Sequence, residues 1–269
     1  MSHDPYQMLE NPFRLDGYVV VITGGAGAIG SAAGRLFAHQ GADVVISDLN
    51  GDGACRVADE IANATGRKTL GMKTDATDER DLDALVDATI SRFGKVTSLL
   101  NNVGWGEYTP LWDISTDYML KSYVLNCVGT YQLTRRFMPH LEKSEHASVL
   151  MSGSLVGSTP TPEFLSYSNA KAALHRMTHS MAVVSGPKVR FNTVVIGSVD
   201  NGASSEKAGL TKEMQQRLAA GFVMKRRGTP WDVAYMMNYV ISPAAAWVTN
   251  QEFIVDGGGG YKSKMPTQE

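Results

Sequence analysis

Cysteine is nearly absent: Cys55 and Cys127 are the only two in 269 residues, and they have no partner spacing. That excludes a disulfide framework or a cysteine-built metal site, and the thiols fit a reduced, cytoplasmic setting. Long apolar runs are also missing. No segment reaches the roughly 18 residues a membrane helix needs, and Met1 to Asp16 is polar, without the apolar core of a signal peptide. Charge of one sign does not cluster: 25 basic residues stand against 27 acidic ones, for a formal net charge of -2. No nucleic-acid surface, membrane contact or charged tail is expected. Internal repeats and low-complexity segments are lacking as well. What remains is a soluble chain long enough to bury a full core as one domain over 1–269, with an N-terminal extension at 1–14.

Short β-branched runs alternate with longer amphipathic segments. Strands are predicted at Val19–Ile22, Asp43–Ser47, Leu70–Lys73, Val96–Leu100, Ser148–Met151, Val189–Val195 and Glu252–Val255. Helices are predicted between them, through about Gln40, through about Ala64, over Asp81–Arg92, over a long stretch Ile114–Leu141, and around Tyr167. Apolar strands separated by helices predict a parallel sheet covered on both faces. The fold class expected is α/β, a single-domain Rossmann-type doubly wound sheet of about seven parallel strands. Only about 198–227 departs from the alternation; it is polar, contains Gly and Ala, and reads as a mobile substrate loop.

Directly after the first strand comes Thr23-Gly24-Gly25-Ala26-Gly27-Ala28-Ile29-Gly30, leading into a helix. Glycines let the backbone turn tightly and approach a pyrophosphate, which sits where free N–H groups and the helix dipole favour anions. A tight turn without a ligand is the plainer alternative. The second strand ends at Asp48, whose carboxylate can accept from both adenosine ribose hydroxyls and would repel a 2′-phosphate. Neither Leu49 nor Asn50 offers a compensating cation, so NAD is expected rather than NADP. Asp48 could otherwise be a simple turn residue.

Tyr167 and Lys171 lie about one helical turn apart, so phenol and ammonium share a face. A free tyrosine titrates near pH ~10. A cation within a few ångströms typically favours the charged form by about 1–3 units, toward the range where the hydroxyl can exchange a proton with an alcohol or ketone.

With these motifs in this order, the chain resembles the short-chain dehydrogenase/reductase family over roughly Leu15 to Gly259. The resemblance implies a cofactor site built from Thr23, Gly24, Ala28, Ile29 and Gly30, then Asp48 and Leu49, then Asp75 and Ala76. It continues through Asn102 and Gly104 of Asn101-Asn102-Val103-Gly104 and ends at Gly197 and Val199, with Tyr167 and Lys171 also touching the cofactor. Ala28 stands where the family carries a glycine, Val103 where it carries alanine, Ile196 where it carries proline and Asn201 where it carries threonine. The family's catalytic group falls on Asn126, Ser154, Tyr167 and Lys171; Ser152 has the wrong spacing for the serine. Asn126 is implied to bend its helix and hold a water linked to the lysine, and Lys171 to lower the tyrosine and bind the nicotinamide ribose. Pairing through the helices that carry Asn126 and Lys171 implies a homodimer or homotetramer.

The expected activity is therefore an NAD(H)-dependent interconversion of a secondary alcohol and a ketone without metal. Trp105, Leu155, Phe164, Met214 and Leu218 are candidates for an apolar substrate pocket suited to a bulky alicyclic or steroid molecule; they could equally be core or subunit contacts. The segments Asn11–Gly17, Ser47-Asp48 and Ser242–Val248 resemble the bacterial 7α-hydroxysteroid dehydrogenase branch. Alternatives are a 3-oxoacyl-type ketoreductase, against which Asp48 weighs, and a non-catalytic NAD-binding sensor or scaffold.

Overall fold

The first strand, Val19–Thr23, is buried along its whole length, as a central strand covered on both sides must be. The computed structural model describes residues 11–200 and 211–259, so Asn201 and the rest of 201–210 lie outside the described residues. Seven strands form one sheet: β1 Val19–Thr23, β2 Asp43–Asp48, β3 Thr69–Lys73, β4 Ser98–Asn101, β5 Ser148–Ser154, β6 Arg190–Ile196 and β7 Gln251–Val255. Their spatial order is β3-β2-β1-β4-β5-β6-β7 and every pairing is parallel. All seven expected strands are present.

Side chains alternate across the sheet and sort two cores. Val20, Ile22, Val44 and Ile46 face α1 (Ala28–His39), α2 (Gly51–Thr65) and α8 (Pro230–Ile241). Val21, Val45, Leu99 and Val149 face α3 (Glu79–Phe93), α5 (Gly129–Leu141) and α6 (Leu165–Ser185). Phe37 on the first side and Phe137 and Phe191 on the second are fully buried, each worth about 1.5–3 kcal/mol relative to exposure.

The strand order reverses between β1 and β4, since the chain winds outward from β1 to β3 and then returns to build the other half. In open α/β sheets such a reversal leaves a crevice at the carboxyl ends of the strands.

The long helical stretch expected over Ile114–Leu141 runs without a break from Thr116 to Leu141, as α4 (Thr116–Tyr123), one π turn (Val124–Val128) and α5, with a 3-10 turn (Leu111–Asp113) before it. In the π turn the Gly129 N–H reaches back to the Val124 carbonyl, while the Asn126 amide donates to the Ser122 carbonyl at 2.9 Å. Such single π turns mark functional positions often.

Within the polar segment, 211–227 contains α7 (Lys212–Ala220), capped by Thr211, whose hydroxyl accepts from Met214 N at 3.2 Å. Its base is fastened: Val199 pairs with Gly228 and the Arg227 guanidinium donates to the Val199 carbonyl at 2.6 Å. No described helix is long and apolar enough to cross a membrane.

Candidate active site

A cleft of about 560 Å³ opens at the carboxyl ends of β1 and β4, lined by Ala28, Ile29, Asp48, Leu49, Asp75 and Ala76 among others. Its floor is the glycine turn. Gly24 adopts φ +62°, which favours glycine. A β-carbon on Gly30 would overlap the Gly24 carbonyl and come within 2.8 Å of the Gly25 Cα, so helix α1 begins pressed against the turn. Ala28 is the first residue of α1 and carries no positive φ, which explains why alanine is accommodated there. Gly27 caps the helix without a side-chain bond and no acidic residue occupies the first turn. The N–H groups at this end are thus left for an anion, as a dinucleotide pyrophosphate requires.

Asp48 closes the cleft beside the turn, its two oxygens accepting from Ala26 N at 3.0 Å and Asn50 N at 2.9 Å. Leu49 next to it is exposed. Asp75 accepts the N–H and hydroxyl of Thr77 on one oxygen, at 2.8 and 2.7 Å. Those bonds hold its carboxyl below the usual carboxylate range.

Asn102 ties three strand ends together. Its N–H donates to Thr23 Oγ1 at 3.1 Å, its amide donates to the Gly24 carbonyl at 3.2 Å, and its Oδ1 accepts from Ser152 Oγ at 3.0 Å. Ser152 is thereby committed to structure, in accord with its spacing. Gly197, beyond β6, donates to the Val255 carbonyl at 3.0 Å. A β-carbon on it would come within 2.6 Å of Asp256 Cβ. Val199, which resemblance places in the cofactor site, has its carbonyl taken by Arg227.

The four catalytic candidates converge from β5, the π turn and α6. Ser154 ends β5, and Tyr167 and Lys171 stand on α6. Lys171 is 2% exposed, its Nζ donating to the Ser152 carbonyl at 2.9 Å and the Val103 carbonyl at 3.4 Å. Burial lowers its pKa from 10.5 to about 8, slightly offset by Cys127.

The downward shift of Tyr167 by Lys171 is not what the geometry produces. Burial raises the phenol, and a hydrogen bond with Ser154 opposes that rise. The reason is placement: the Lys171 Nζ lies 5.7 Å from the Tyr167 ring centroid and is aimed at carbonyls.

Asn126 is wholly buried. Its amide and Oδ1 grip both backbone groups of Trp105, at 2.9 and 3.0 Å, so it fixes the loop after β4. Gly104 passes between it and the lysine; a β-carbon there would lie 2.9 Å from Lys171 Nζ and 3.3 Å from Asn126 Oδ1.

Of the pocket candidates, Trp105 lines the cleft, its ring edge-on to Tyr118 at 5.7 Å and 5.5 Å from the Lys121 ammonium. Leu155 and Phe164 lie on 3-10 turns flanking the loop between β5 and α6. Met214 and Leu218, on α7, remain 48% and 43% exposed. Sequence reasoning missed His175, whose Nε2 accepts from Ser154 N at 3.2 Å. Its position one turn beyond Lys171, on the same face, was the available signal.

Comparison with known proteins points one way. A family model for enoyl-(acyl carrier protein) reductase matches residues 24–259. The chain is 35% identical over 247 residues to 7alpha-hydroxysteroid dehydrogenase of Escherichia coli K12, covering 91% of this chain and 95% of that one. It is 31% identical over 242 residues to cis-4-hydroxycyclohexanecarboxylate dehydrogenase of Sinomonas cyclohexanicum, covering 89% and 95%. A solved 7 alpha-hydroxysteroid dehydrogenase complexed with NADH and 7-oxo glycochenodeoxycholic acid superposes with a TM-score of 0.87 at 34% identity, covering 92% of this chain and 96% of that one.

The burial of Lys171 has a measurable sign. Folded, the group releases its proton near 8; unfolded, near 10.5. Between those values the unfolded chain binds more protons, so stability contributed at this position rises with pH across the window. Relative to Lys171→Met, the parent should gain up to about 3 kcal/mol as pH climbs from about 8 to 10.5. Denaturant unfolding at a series of pH values measures the difference, and a constant difference contradicts the assignment.

Proposed function

Because the chain belongs to the short-chain dehydrogenase/reductase family, we propose that it interconverts a secondary alcohol and a ketone, using NAD(H), on an alicyclic substrate of the steroid or cyclohexanol kind. The observation that carries this reading is the convergence of Ser154 and Tyr167 on one point beside the cleft, with Lys171 buried behind them. Two hydroxyls meeting there suit a single substrate oxygen, where negative charge develops as a carbonyl is reduced.

NAD, when bound, supplies the hydride acceptor or donor at its nicotinamide. The glycine turn and the start of α1 would hold its pyrophosphate, Asp48 its adenosine ribose, and Lys171 the hydroxyls of the other ribose. Tyr167 moves the proton. Because burial raises its pKa, the phenol is neutral at neutral pH and is poised to give its proton to a ketone oxygen. In the oxidation direction it must first lose that proton, so alcohol oxidation is favoured at alkaline pH. Ser154 holds the substrate oxygen and, by its bond to the phenol, eases the charge on Tyr167. Asn126 keeps Trp105 and Gly104 in place beside Lys171.

The substrate class rests on two relatives named for ring-borne secondary alcohols, a 7α-hydroxysteroid and a 4-hydroxycyclohexanecarboxylate, and on apolar residues near the site. Of the five pocket candidates Trp105 lines the cleft; Leu155, Phe164, Met214 and Leu218 would complete a pocket beside it. Assembly into a homodimer or homotetramer is part of the same reading. Leu120, Tyr123 and Val124 leave apolar surface exposed on α4 and the π turn, and Tyr131 on α5, with Leu120 58% exposed.

A panel of cyclic and acyclic secondary alcohols and ketones, steroids included, assayed with both cofactors, tests the proposal. Turnover of ring alcohols with NAD supports it. Preference for NADPH and 3-oxoacyl thioesters would install the ketoreductase reading, and tight NADH binding with no turnover the sensor reading. Tyr167→Phe should lower kcat by at least about 100-fold while NADH binding, followed by fluorescence, stays intact; substantial residual turnover would count against the proton-transfer role. Asp48→Asn keeps the side chain's size but removes its charge, and should cut the NAD-over-NADP preference in kcat/KM by about tenfold or more. An unchanged ratio would remove Asp48 from the discrimination. Sedimentation of the full chain should give a dimer or tetramer, and a monomer would refute the pairing.

A further inference from the structure

Strand β5 outruns its neighbour. The last residue of β4, Asn101, pairs with Met151, so Ser152, Gly153 and Ser154 continue without a β4 partner. Two side chains of α6 stand where that partner is missing. Lys171 donates to the Ser152 carbonyl at 2.9 Å, and His175 accepts from the Ser154 N–H at 3.2 Å. A carbonyl and an N–H two residues apart are what one further residue of a parallel neighbour would bridge. Gly153, between them, makes the approach possible, because a β-carbon there would overlap His175 Nε2.

The hydrogen bond dictates the imidazole's state. An N–H donor requires an unprotonated Nε2, so the single proton of the neutral ring sits on Nδ1. Nδ1 faces the Glu252 carboxylate of β7 at 3.5 Å and Ser158 Oγ at 3.4 Å. Glu252 is itself held by His179 of α6 at 3.0 Å, whose Nδ1 lies 2.6 Å from Asn250 Oδ1. The chain Ser154–His175–Glu252–His179 therefore runs from the catalytic serine to the sheet edge.

We propose that His175, oriented by Glu252, is a positioning residue that sets the backbone, and through it the hydroxyl, of Ser154 for the reaction proposed above. The charged and titratable groups facing it are Glu252, Lys171 and His179. A second proton on the ring would set an N–H against the Ser154 N–H and release the strand end. Burial, with Lys171 and His179 beside it, opposes that proton and outweighs Glu252, so the imidazole stays neutral at neutral pH. Acid conditions should thus loosen Ser154 at the end of β5.

This inference rests on the proposed dehydrogenase reading, so the experiment has one arm with activity and one without. Glutamine can place an acceptor oxygen near Nε2, whereas leucine fills similar space without an acceptor. His175→Leu should lower kcat by about tenfold or more with the KM for NAD changed less than about twofold. His175→Gln should retain kcat within about threefold and lose part of the acid-side fall in kcat. Equal impairment of the two variants, or an unchanged kcat in His175→Leu, overturns the proposal. The second arm needs no substrate. In nitrogen-15-labelled parent protein, the Ser154 amide signal should shift as the His175 ring titrates on acidification, with Nε2 unprotonated at neutral pH. A Ser154 signal indifferent to that titration overturns the proposal whatever the chain's activity. A parent inactive across the alcohol panel with the coupled signals present refutes the dehydrogenase reading alone.

Discussion

An ammonium group taken out of water at the ends of β4 and β5 is the constraint around which the rest of the site is arranged. Lys171 cannot keep its charge there without acceptors, and the carbonyls of Ser152 and Val103 supply them. Those carbonyls are available because β4 stops early and β5 does not. The lysine's head lies against Gly104, where a side chain would push it from its carbonyls. Asn126, standing in the π turn, grips both backbone groups of Trp105, the residue after that glycine. Helix α6, which carries the lysine, brings Tyr167 and His175 to the same strand end. The cleft and the reacting corner are thus joined by one buried charge.

Most of this architecture was legible in the residues. The seven strands could be read because a parallel sheet buried on both faces needs near-continuous runs such as Val19-Val20-Val21-Ile22. The glycine turn could be read because Gly24 and Gly30 answer to backbone geometry that few other residues satisfy. Tyr167 and Lys171 were visible through their spacing on a helix, Ser154 and Asn126 through resemblance. The same signals carried the departures: Ala28 is tolerated because it sits inside a helix rather than at a left-handed turn.

What was not legible depends on atoms far apart in the chain. Resemblance implied a bend at Asn126, but its form as a π turn leaves no signature in local propensity, since there the Asn126 side chain competes with the main chain for the Ser122 carbonyl. The sense of the Tyr167 shift was misread for a related reason. Helical spacing shows that two groups share a face, but not that the lysine turns away toward strand carbonyls. His175 escaped notice because its partner, the Ser154 N–H, becomes free only where one strand outlasts another. Met214 and Leu218 had the right chemistry for a pocket, yet half-exposed apolar residues on α7 look the same whether they meet a substrate or a neighbouring subunit.

The π turn also works as a phase shifter. A helix gains one residue there without gaining a turn, and one residue in an α-helix is a rotation of about 100°. The stripe that α4 presents is therefore out of step with the stripe that α5 presents. Upstream, Leu120 and Tyr123 look outward; downstream, Leu133, Phe137 and Leu141 look into the core. One continuous rod of backbone can so serve two masters: a surface facing away from the sheet, and a hydrophobic seam facing it. Asn126 sits at the seam where the two registers are spliced.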